Sequence, residues 1–267
     1  MQGKLVSAET SGRRPLVFIT GASSGIGAAL AAHYAARGAQ LGLVARRAEV
    51  LADVARAMPG SPALYLADVA DAKAMSDAAH DFMQRFGVPD IVIANAGVSV
   101  GTLTEHAEDI AVFGRVMQTN VVGLAATFHP FLAPMRAARR GRLAGIASVA
   151  GMRGIPGAGA YSASKAAAIT YLEALRVELR SSGVKVVTVC PGYVATPLTA
   201  VNKYRMPFIL PADVAARRIA RVIDAGRAYA VVPWQMALVA RAMKLLPNAV
   251  YDRLFKRAGR KPRGLNL

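Results

Sequence analysis

Short apolar runs alternate with longer segments of helical periodicity along most of this chain. The runs lack the alternation of apolar and polar residues, as is typical of strands that are buried on both faces of a parallel sheet. The predicted strands are Leu16–Thr20, Gln40–Ala45, Ala63–Ala67, Asp90–Ala94, Leu143–Ser148, Lys185–Cys190 and Tyr229–Val232. Helix-length patterns, such as Asp71–Phe86 and Ala158–Ser182, lie between them. This order predicts an α/β fold with one doubly wound parallel sheet of about seven strands and helices on both faces.

The pattern also indicates how the chain is divided. No linker, repeat or low-complexity segment interrupts residues 15–267, so we predict a single domain there. Residues 1–14 are polar, lack the apolar stretch of a signal peptide and are expected to form a loose tail. Residues 233–267 are expected to form a helical extension, with an apolar helix over Trp234–Leu246 and a basic amphipathic segment over Asn248–Ala258.

Charge changes this picture, because the 267 residues carry 33 Lys and Arg against 16 Asp and Glu, a formal net charge of +17. Such an excess indicates an acidic partner, or else arginines that face solvent without any specific partner. We do not expect nucleic acid as the partner, because no recognised binding motif is present and the basic C-terminal end has no row of stacking aromatics.

The amino-acid composition indicates which broad classes of protein the chain can belong to. Hydrophobic residues make up 54% of the sequence, enough to bury a sizeable core. No apolar run reaches the length of about 18 residues that indicates a transmembrane helix. The single cysteine, Cys190, excludes an intrachain disulfide and fits a reducing compartment. The four histidines are scattered without metal-ligand spacing, so no metal is expected.

A glycine-rich turn, TGASSGIG at Thr20–Gly27, joins the first predicted strand to an alanine-rich helix. Glycines allow a tight turn and a close approach of the backbone to a ligand, and the N-terminus of the following helix presents unpaired N–H groups to an anion. The turn therefore predicts a phosphate-binding site.

Two arginines follow the second predicted strand, in the stretch LVARR at Leu43–Arg47. In dinucleotide-binding folds an acidic residue near this point usually binds the ribose 2′-hydroxyl of NAD. A carboxylate would repel a 2′-phosphate, whereas a guanidinium binds it through two hydrogen bonds. We therefore predict a preference for NADP(H), with Arg46 as the main contact and Arg47 helping. A solvated basic pair at the start of a helix is the alternative interpretation.

Tyr161 and Lys165 lie four residues apart in a predicted helix, so they share one face. A free tyrosine has a pKa near ~10, too high for an effective base at neutral pH. A nearby ammonium favours the phenolate and lowers that pKa. The pair predicts a tyrosine general acid and base, which protonates a carbonyl oxygen in the direction of reduction. Chance proximity on a helix is the alternative.

Together with three further motifs, these features resemble the short-chain dehydrogenase/reductase family over about residues 15–232. The motifs are NAG at Asn95–Gly97, PG at Pro191–Gly192, and a catalytic tetrad of Asn120, Ser148, Tyr161 and Lys165 in the family's order and spacing. The resemblance implies a Rossmann-type fold and an NADP(H)-dependent oxidoreductase that interconverts a carbonyl and a secondary alcohol. It implies that Ser148 orients the substrate oxygen, that Lys165 binds the nicotinamide ribose, and that Asn120 holds a water linking Lys165 to solvent.

The resemblance also implies the contacts of the cofactor, with Asp68 and Val69 at the adenine ring and the residues after Pro191 at the nicotinamide. The full expected set is Gly21, Ser23, Ser24, Gly25, Ile26, Gly27, Arg46, Arg47, Asp68, Val69, Asn95, Ala96, Gly97, Tyr161, Lys165, Pro191, Gly192, Val194 and Thr196.

The substrate side is expected in the loops that follow the strands. Apolar residues there favour a lipophilic ketone or secondary alcohol. Arg153 in one of these loops either meets an acidic group or is solvated, and residues 195–210 form a candidate lid. The expected substrate residues are Ser148, Met152 and Tyr193, with Val98, Ile155, Leu198, Met206 and Phe208 completing the pocket.

For partners other than the substrate, the sequence leaves more than one interpretation open. From Arg217 to Arg263 there are 12 basic residues and two acidic ones. This end either contacts an anionic membrane surface or packs against the domain or a second subunit. The resemblance implies a dimer or tetramer built through the helices near 108–138 and 158–182. We expect a cytoplasmic location, with contact at the inner face of a membrane as a hypothesis.

A non-catalytic NADP-binding sensor or scaffold is the alternative function, although such a protein would be expected to lose Tyr161 or Lys165.

Overall fold

The computed structural model describes residues 13–256 and 259–264. The strands within these residues are β1 Leu16–Thr20, β2 Gln40–Ala45, β3 Ala63–Leu66, β4 Ile91–Ala94, β5 Arg142–Ile146, β6 Lys185–Pro191, β7 Val194–Ala195, β8 Leu210–Pro211 and β9 Tyr229–Val232. The helices are α1 Gly25–Ala35, α2 Ala48–Arg56, α3 Ala72–Phe86, α4 Glu108–Met117, α5 Gly123–Ala137, α6 Gly159–Glu178, α7 Pro197–Ala200, α8 Ala212–Asp224, α9 Trp234–Leu245 and α10 Asn248–Phe255.

Within the described residues, seven strands form one parallel sheet in the order β3-β2-β1-β4-β5-β6-β9. The chain winds from β1 outward to β3, then continues on the other side of β1 with β4. The predicted doubly wound α/β fold is confirmed. The strand order reverses between β1 and β4, and the carboxyl ends of these strands are where open parallel sheets bind ligands.

Alternate residues of the central strand β1 explain why the sheet needs helices on both faces. Val17 and Ile19 belong to a buried cluster with α1 and α8, whereas Phe18 belongs to the cluster on the other face with α3 and α5. The Phe18 ring lies 5.5 Å from the ring of Phe82 and 4.9 Å from the ring of Phe131, measured between centroids. The two apolar layers hold the sheet rigidly, which fixes the loops at its carboxyl edge.

The fifth strand ends earlier than the sequence predicts, at Ile146 instead of Ser148. Ser148 leaves the sheet and caps a 3₁₀ turn, Val149–Gly151, by accepting a hydrogen bond from the Ala150 N–H at 3.1 Å. The hydroxyl therefore stands at the strand end, beside the loops. Elsewhere the predicted strands differ by at most one residue at an end, and the short pair β7 and β8 was not predicted.

The extension after β9 forms α9 and α10. The end of its predicted second segment, residues 257–258, lies outside the described residues, as do residues 265–267 and, apart from Arg13 and Arg14, the predicted N-terminal tail. No helix in the described part of the chain combines the length and the apolar character needed to cross a membrane.

Candidate active site

A cavity of about 910 Å³ lies at the carboxyl edge of the sheet. One end is formed by the turn between β1 and α1, and the other by α9, α10 and the residues that follow them. Most of the site residues predicted from the sequence line this single cavity. The exceptions are Gly27, Asn120, Met152, Met206 and Phe208.

The shape of the glycine turn requires glycine at Gly21, Gly25 and Gly27. Gly21 and Gly25 have positive φ angles of +66° and +57°, which side chains disfavour. A Cβ atom on Gly27 would lie 2.2 Å from the Gly21 carbonyl oxygen, so only glycine at this position lets α1 pack so closely against the turn. Gly27 itself does not line the cavity. No side chain caps the N-terminus of α1 and its first turn carries no acidic residue, so its N–H groups are available to an anion.

The two arginines after β2 have different partners. Arg47 donates hydrogen bonds to the side-chain oxygens of Ser23 at 3.1 Å and Ser24 at 3.2 Å, beside the glycine turn. Arg46 forms an ion pair with Asp68 at 3.2 Å. Both guanidinium groups line the cavity, so a basic and hydroxyl-rich corner stands next to the turn.

The second half of the cavity contains Ser148, Tyr161 and Lys165. Tyr161 lies in the first turn of α6, and the Lys165 Nζ atom stands 5.8 Å from the centroid of its ring. Lys165 is 4% exposed, and its ammonium donates a hydrogen bond of 2.8 Å to the Ile146 carbonyl oxygen at the end of β5. Strand β5 and helix α6 thus hold the three side chains against one wall.

Burial acts on both titratable groups of this wall. It raises the pKa of the Tyr161 hydroxyl, whereas the sequence predicted that the neighbouring ammonium would lower it; the Ser148 side chain lowers this pKa by a smaller amount than burial raises it. It lowers the pKa of Lys165 to about 8. The tyrosine is therefore protonated at neutral pH and the lysine remains mostly charged.

Asn120 lies behind this wall in a π-helical segment, Gln118–Val122, of the kind often found near functional sites. Its side chain donates to the Val98 carbonyl oxygen and to the Ser164 hydroxyl, each at 2.9 Å, and accepts from the Val98 N–H at 2.8 Å. A Cβ atom on Gly97 would lie 3.2 Å from the Asn120 side-chain oxygen and 3.4 Å from Lys165 Nζ. Asn120 thus fixes the loop after β4 close to Lys165.

The apolar wall of the cavity differs in part from the predicted one. Val98, Ile155, Tyr193 and Leu198 line it as expected. Three other predicted residues do not. Met152 ends the 3₁₀ turn, the Met206 sulfur accepts a hydrogen bond from Asn202, and Phe208 is 51% exposed with a positive φ angle.

Arg153 does not line the cavity, and its partly buried guanidinium is held by the C-terminal extension. Its guanidinium carbon lies 3.9 Å from the centroid of the Tyr251 ring, and it donates to the Leu246 carbonyl oxygen at 2.7 Å. It also donates to the Met243 carbonyl oxygen and to Asn248. Arg153 therefore fastens the extension to the loop after Ser148.

The sequence did not assign the extension to the cavity, yet it supplies much of the apolar wall. Met236, Val239 and Met243 of α9 line the cavity with Phe255 of α10. The spacing of three and four residues along α9 marks one helical face. From the sequence, this spacing indicates that one face of α9 is buried, but it does not indicate which part of the molecule the face packs against.

The comparisons with known proteins agree with this geometry. Residues 15–205 match the family model of short chain dehydrogenases, and the chain belongs to that family. An uncharacterized oxidoreductase of Myxococcus xanthus is 40% identical over 253 residues, covering 94% of this chain and 99% of the relative. The 11-beta-hydroxysteroid dehydrogenase-like 3 of Arabidopsis thaliana is 34% identical over 246 residues, covering 89% and 79%. A short-chain dehydrogenase structure from Streptomyces avermitilis superposes with a TM-score of 0.76 at 25% identity, covering 91% of this chain and 96% of that one.

Members of this family are oxidoreductases that use a nicotinamide cofactor. The residues present here fit such a cofactor. The open N-terminus of α1 suits its phosphates, and the cavity continues from that point to the wall of Ser148 and Tyr161.

Proposed function

We propose that the protein is an NADP(H)-dependent oxidoreductase that interconverts a carbonyl and a secondary alcohol on a lipophilic substrate. The observation that supports it best is the wall of Ser148, Tyr161 and Lys165 in the same cavity as the glycine turn. Residues 15–267 act as one domain in this proposal. The alternative, a non-catalytic sensor, does not explain why a tyrosine and a buried lysine lie together on one wall of the cavity.

The predicted cofactor residues that line the cavity, all of the set except Gly27, would hold the cofactor along it. Backbone N–H groups of the turn at Gly21–Gly27 bind its phosphates, and Asp68 and Asn95 border the adenosine half. Gly192, Val194 and Thr196 cover the nicotinamide half. The cofactor supplies or accepts the hydride, and the chain's own residues handle the proton.

Tyr161 donates its proton to the carbonyl oxygen in the direction of reduction. The raised pKa of its hydroxyl keeps that proton in place until the oxygen gains charge. Ser148 orients the same oxygen through its hydroxyl. In the direction of oxidation Tyr161 first loses its own proton to solvent, and its phenolate then takes the proton of the alcohol hydroxyl; the Lys165 ammonium favours that phenolate.

The 2′-phosphate of NADP(H) binds at the corner formed by Arg46, Arg47 and Ser24. Two guanidinium groups and hydroxyl donors line this corner, while the carboxylate of Asp68 is occupied by Arg46. A phosphate dianion gains charge-assisted hydrogen bonds there, which NAD(H) cannot make.

Two exposed surfaces support the partners that we propose, a second copy of the chain and an anionic membrane. Exposed apolar side chains on α4, α6 and the segment between α4 and α5 favour a homo-oligomer through these helices: Ile110, Phe113, Val122 and Val177. The outer face of α9 and α10 carries exposed apolar and basic residues and favours contact with an anionic membrane from the cytoplasmic side. That face includes Trp234, Leu238, Arg241, Leu245 and Leu254.

The test is NADPH oxidation by the purified protein with ketones graded by chain length and ring count. We expect turnover to rise with lipophilicity, and Tyr161→Phe to lower kcat/KM by roughly 100-fold or more, because the proton donor is lost. Tyr171→Phe changes a partly buried tyrosine of the same helix that packs against the core; it is the matched control and should retain activity. NADPH binding without turnover of any ketone would favour the sensor.

A further inference from the structure

Residues 259–264, here called the C-terminal strap, return from α10 to the cavity. The Gly101 N–H donates to the Pro262 carbonyl oxygen at 2.9 Å. Arg263 forms ion pairs with Asp109 at 2.8 Å and Glu108 at 2.9 Å. A Cβ atom on Gly101 would lie 2.1 Å from the Lys261 carbonyl oxygen, so the fit between loop and strap is close. The strap is therefore fixed in position.

This position buries a lysine in the cavity wall. Lys261 is 7% exposed and lines the cavity. Its ammonium donates one hydrogen bond, to the Leu198 carbonyl oxygen at 2.8 Å, and has two further N–H groups. No carboxylate among residues 13–256 and 259–264 forms an ion pair with it; the strap's ion pairs are made by Arg263. Burial lowers its pKa to about 8, so it remains mostly charged at neutral pH.

The charges of the cavity are distributed unequally. Of the described residues that line it, Asp68 is the carboxylate, and it is paired with Arg46 at the cofactor end. The other end carries Lys261 and Arg205. A buried cation without a counter-charge costs free energy, which an anionic ligand would offset.

We propose that Lys261 binds a carboxylate of the substrate, at a group other than the reacting carbonyl. The substrate class is then a lipophilic keto acid or hydroxy acid, whose apolar body lies along Met236, Val239 and Met243. This proposal rests on the proposed function, because the same cavity receives the carbonyl at Tyr161. It adds a specificity-determining residue that lies outside the residues matched by the family model.

The test uses matched acids and esters. Wild-type protein with NADPH is assayed on 4-oxopentanoate, 6-oxoheptanoate, 8-oxononanoate and 4-acetylbenzoate, and on the methyl ester of each. We expect kcat/KM for at least one acid to exceed that for its ester. Lys261→Met should lower kcat/KM for that acid by about ten-fold or more and leave the ester unchanged, because only the acid loses a charge-assisted bond. Lys261→Arg should keep the preference for the acid.

A binding measurement separates this proposal from the oxidoreductase function. Calorimetric titration with octanoate should show binding to wild-type protein that is lost in Lys261→Met and kept in Lys73→Met, which changes an exposed lysine of α3.

Turnover of esters with no preference for any acid, together with no octanoate binding, would overturn the carboxylate site and leave the oxidoreductase intact. Octanoate binding through Lys261 without ketone turnover would support the site and contradict the oxidoreductase. Equal losses for acid and ester in Lys261→Met would also overturn the proposal.

Discussion

At the scale of single residues, the two arginines after β2 show how neighbouring side chains of one type take different positions. Arg46 reaches across to Asp68, whereas Arg47 turns back to Ser23 and Ser24 at the glycine turn. The sequence favoured Arg46 as the main phosphate contact. The geometry gives Arg47 the place nearer the turn, so both residues need to be tested separately.

We expect Arg46→Asp and Arg47→Asp each to lower the ratio of kcat/KM for NADPH over NADH by about 10- to 100-fold. A charge-assisted hydrogen bond contributes about 1.5–3 kcal/mol, and the introduced carboxylate repels the 2′-phosphate in addition. Steady-state kinetics with both cofactors measure the ratio.

Arg56→Asp, on the exposed side of α2, is the control for a change of charge alone and should leave the ratio unchanged. Ratios within two-fold of the wild-type value in both test variants would contradict NADP(H) selection at this corner.

At the scale of whole elements, much of the fold and of the candidate site follows from local patterns. The strand–turn–helix order around TGASSGIG predicts that Gly21 and Ser24 stand at the carboxyl edge of the sheet, and the spacing of Tyr161 and Lys165 predicts a shared helical face. In a parallel sheet these carboxyl edges meet by topology, so short-range patterns suffice to bring the groups into one cavity.

Other residues of the site depend on the path of the chain between elements. Met243 and Lys261 line the cavity because α9, α10 and the strap fold back over it; Arg153 fastens the two helices there, and Arg263 fastens the strap. No local pattern encodes that return. A lysine in a basic tail looks like any solvated lysine, and only the packing of Lys261 at 7% exposure distinguishes it.

The strap can be tested as an element through Gly101. Gly101→Ala places a Cβ atom against the Lys261 carbonyl oxygen, so the strap must move away. We expect kcat/KM for ketones to fall on the order of ten-fold, because the cavity wall is displaced, while NADPH affinity stays unchanged. Hydrogen exchange at the amide of position 101 should become faster, since it donates to Pro262 in the wild-type protein.

Gly114→Ala is the matched control, because a Cβ atom there meets nothing within 4 Å in the middle of α4. This change should raise the free energy of unfolding by roughly 0.5–1 kcal/mol and leave turnover unaffected. Wild-type kinetics and slow exchange in Gly101→Ala would show that the strap does not form part of the cavity wall.

At the scale of the whole molecule, the net charge of +17 and the position of α9 bear on membrane contact. The inner face of α9 lines the cavity, so removing the extension would open the cavity as well as remove the outer face, and a change in membrane binding could then have either cause. The outer face is a better target. Trp234, Leu238 and Leu245 are 65%, 58% and 82% exposed and alternate with exposed Arg241 and Lys244. An apolar stripe bordered by cations suits the surface of an anionic bilayer.

We expect the wild-type protein to sediment with vesicles of phosphatidylglycerol and phosphatidylcholine, and much less with phosphatidylcholine alone. The triple change Trp234→Glu, Leu238→Glu and Leu245→Glu should reduce sedimentation to background and leave turnover of soluble ketones intact, because these side chains face away from the cavity. Leu64→Glu, on the edge strand β3 and 40% exposed, adds a negative charge elsewhere and should bind as the wild type does. If wild type and triple variant sediment equally, the outer face does not contact membranes, and its apolar stripe is better explained by a second subunit.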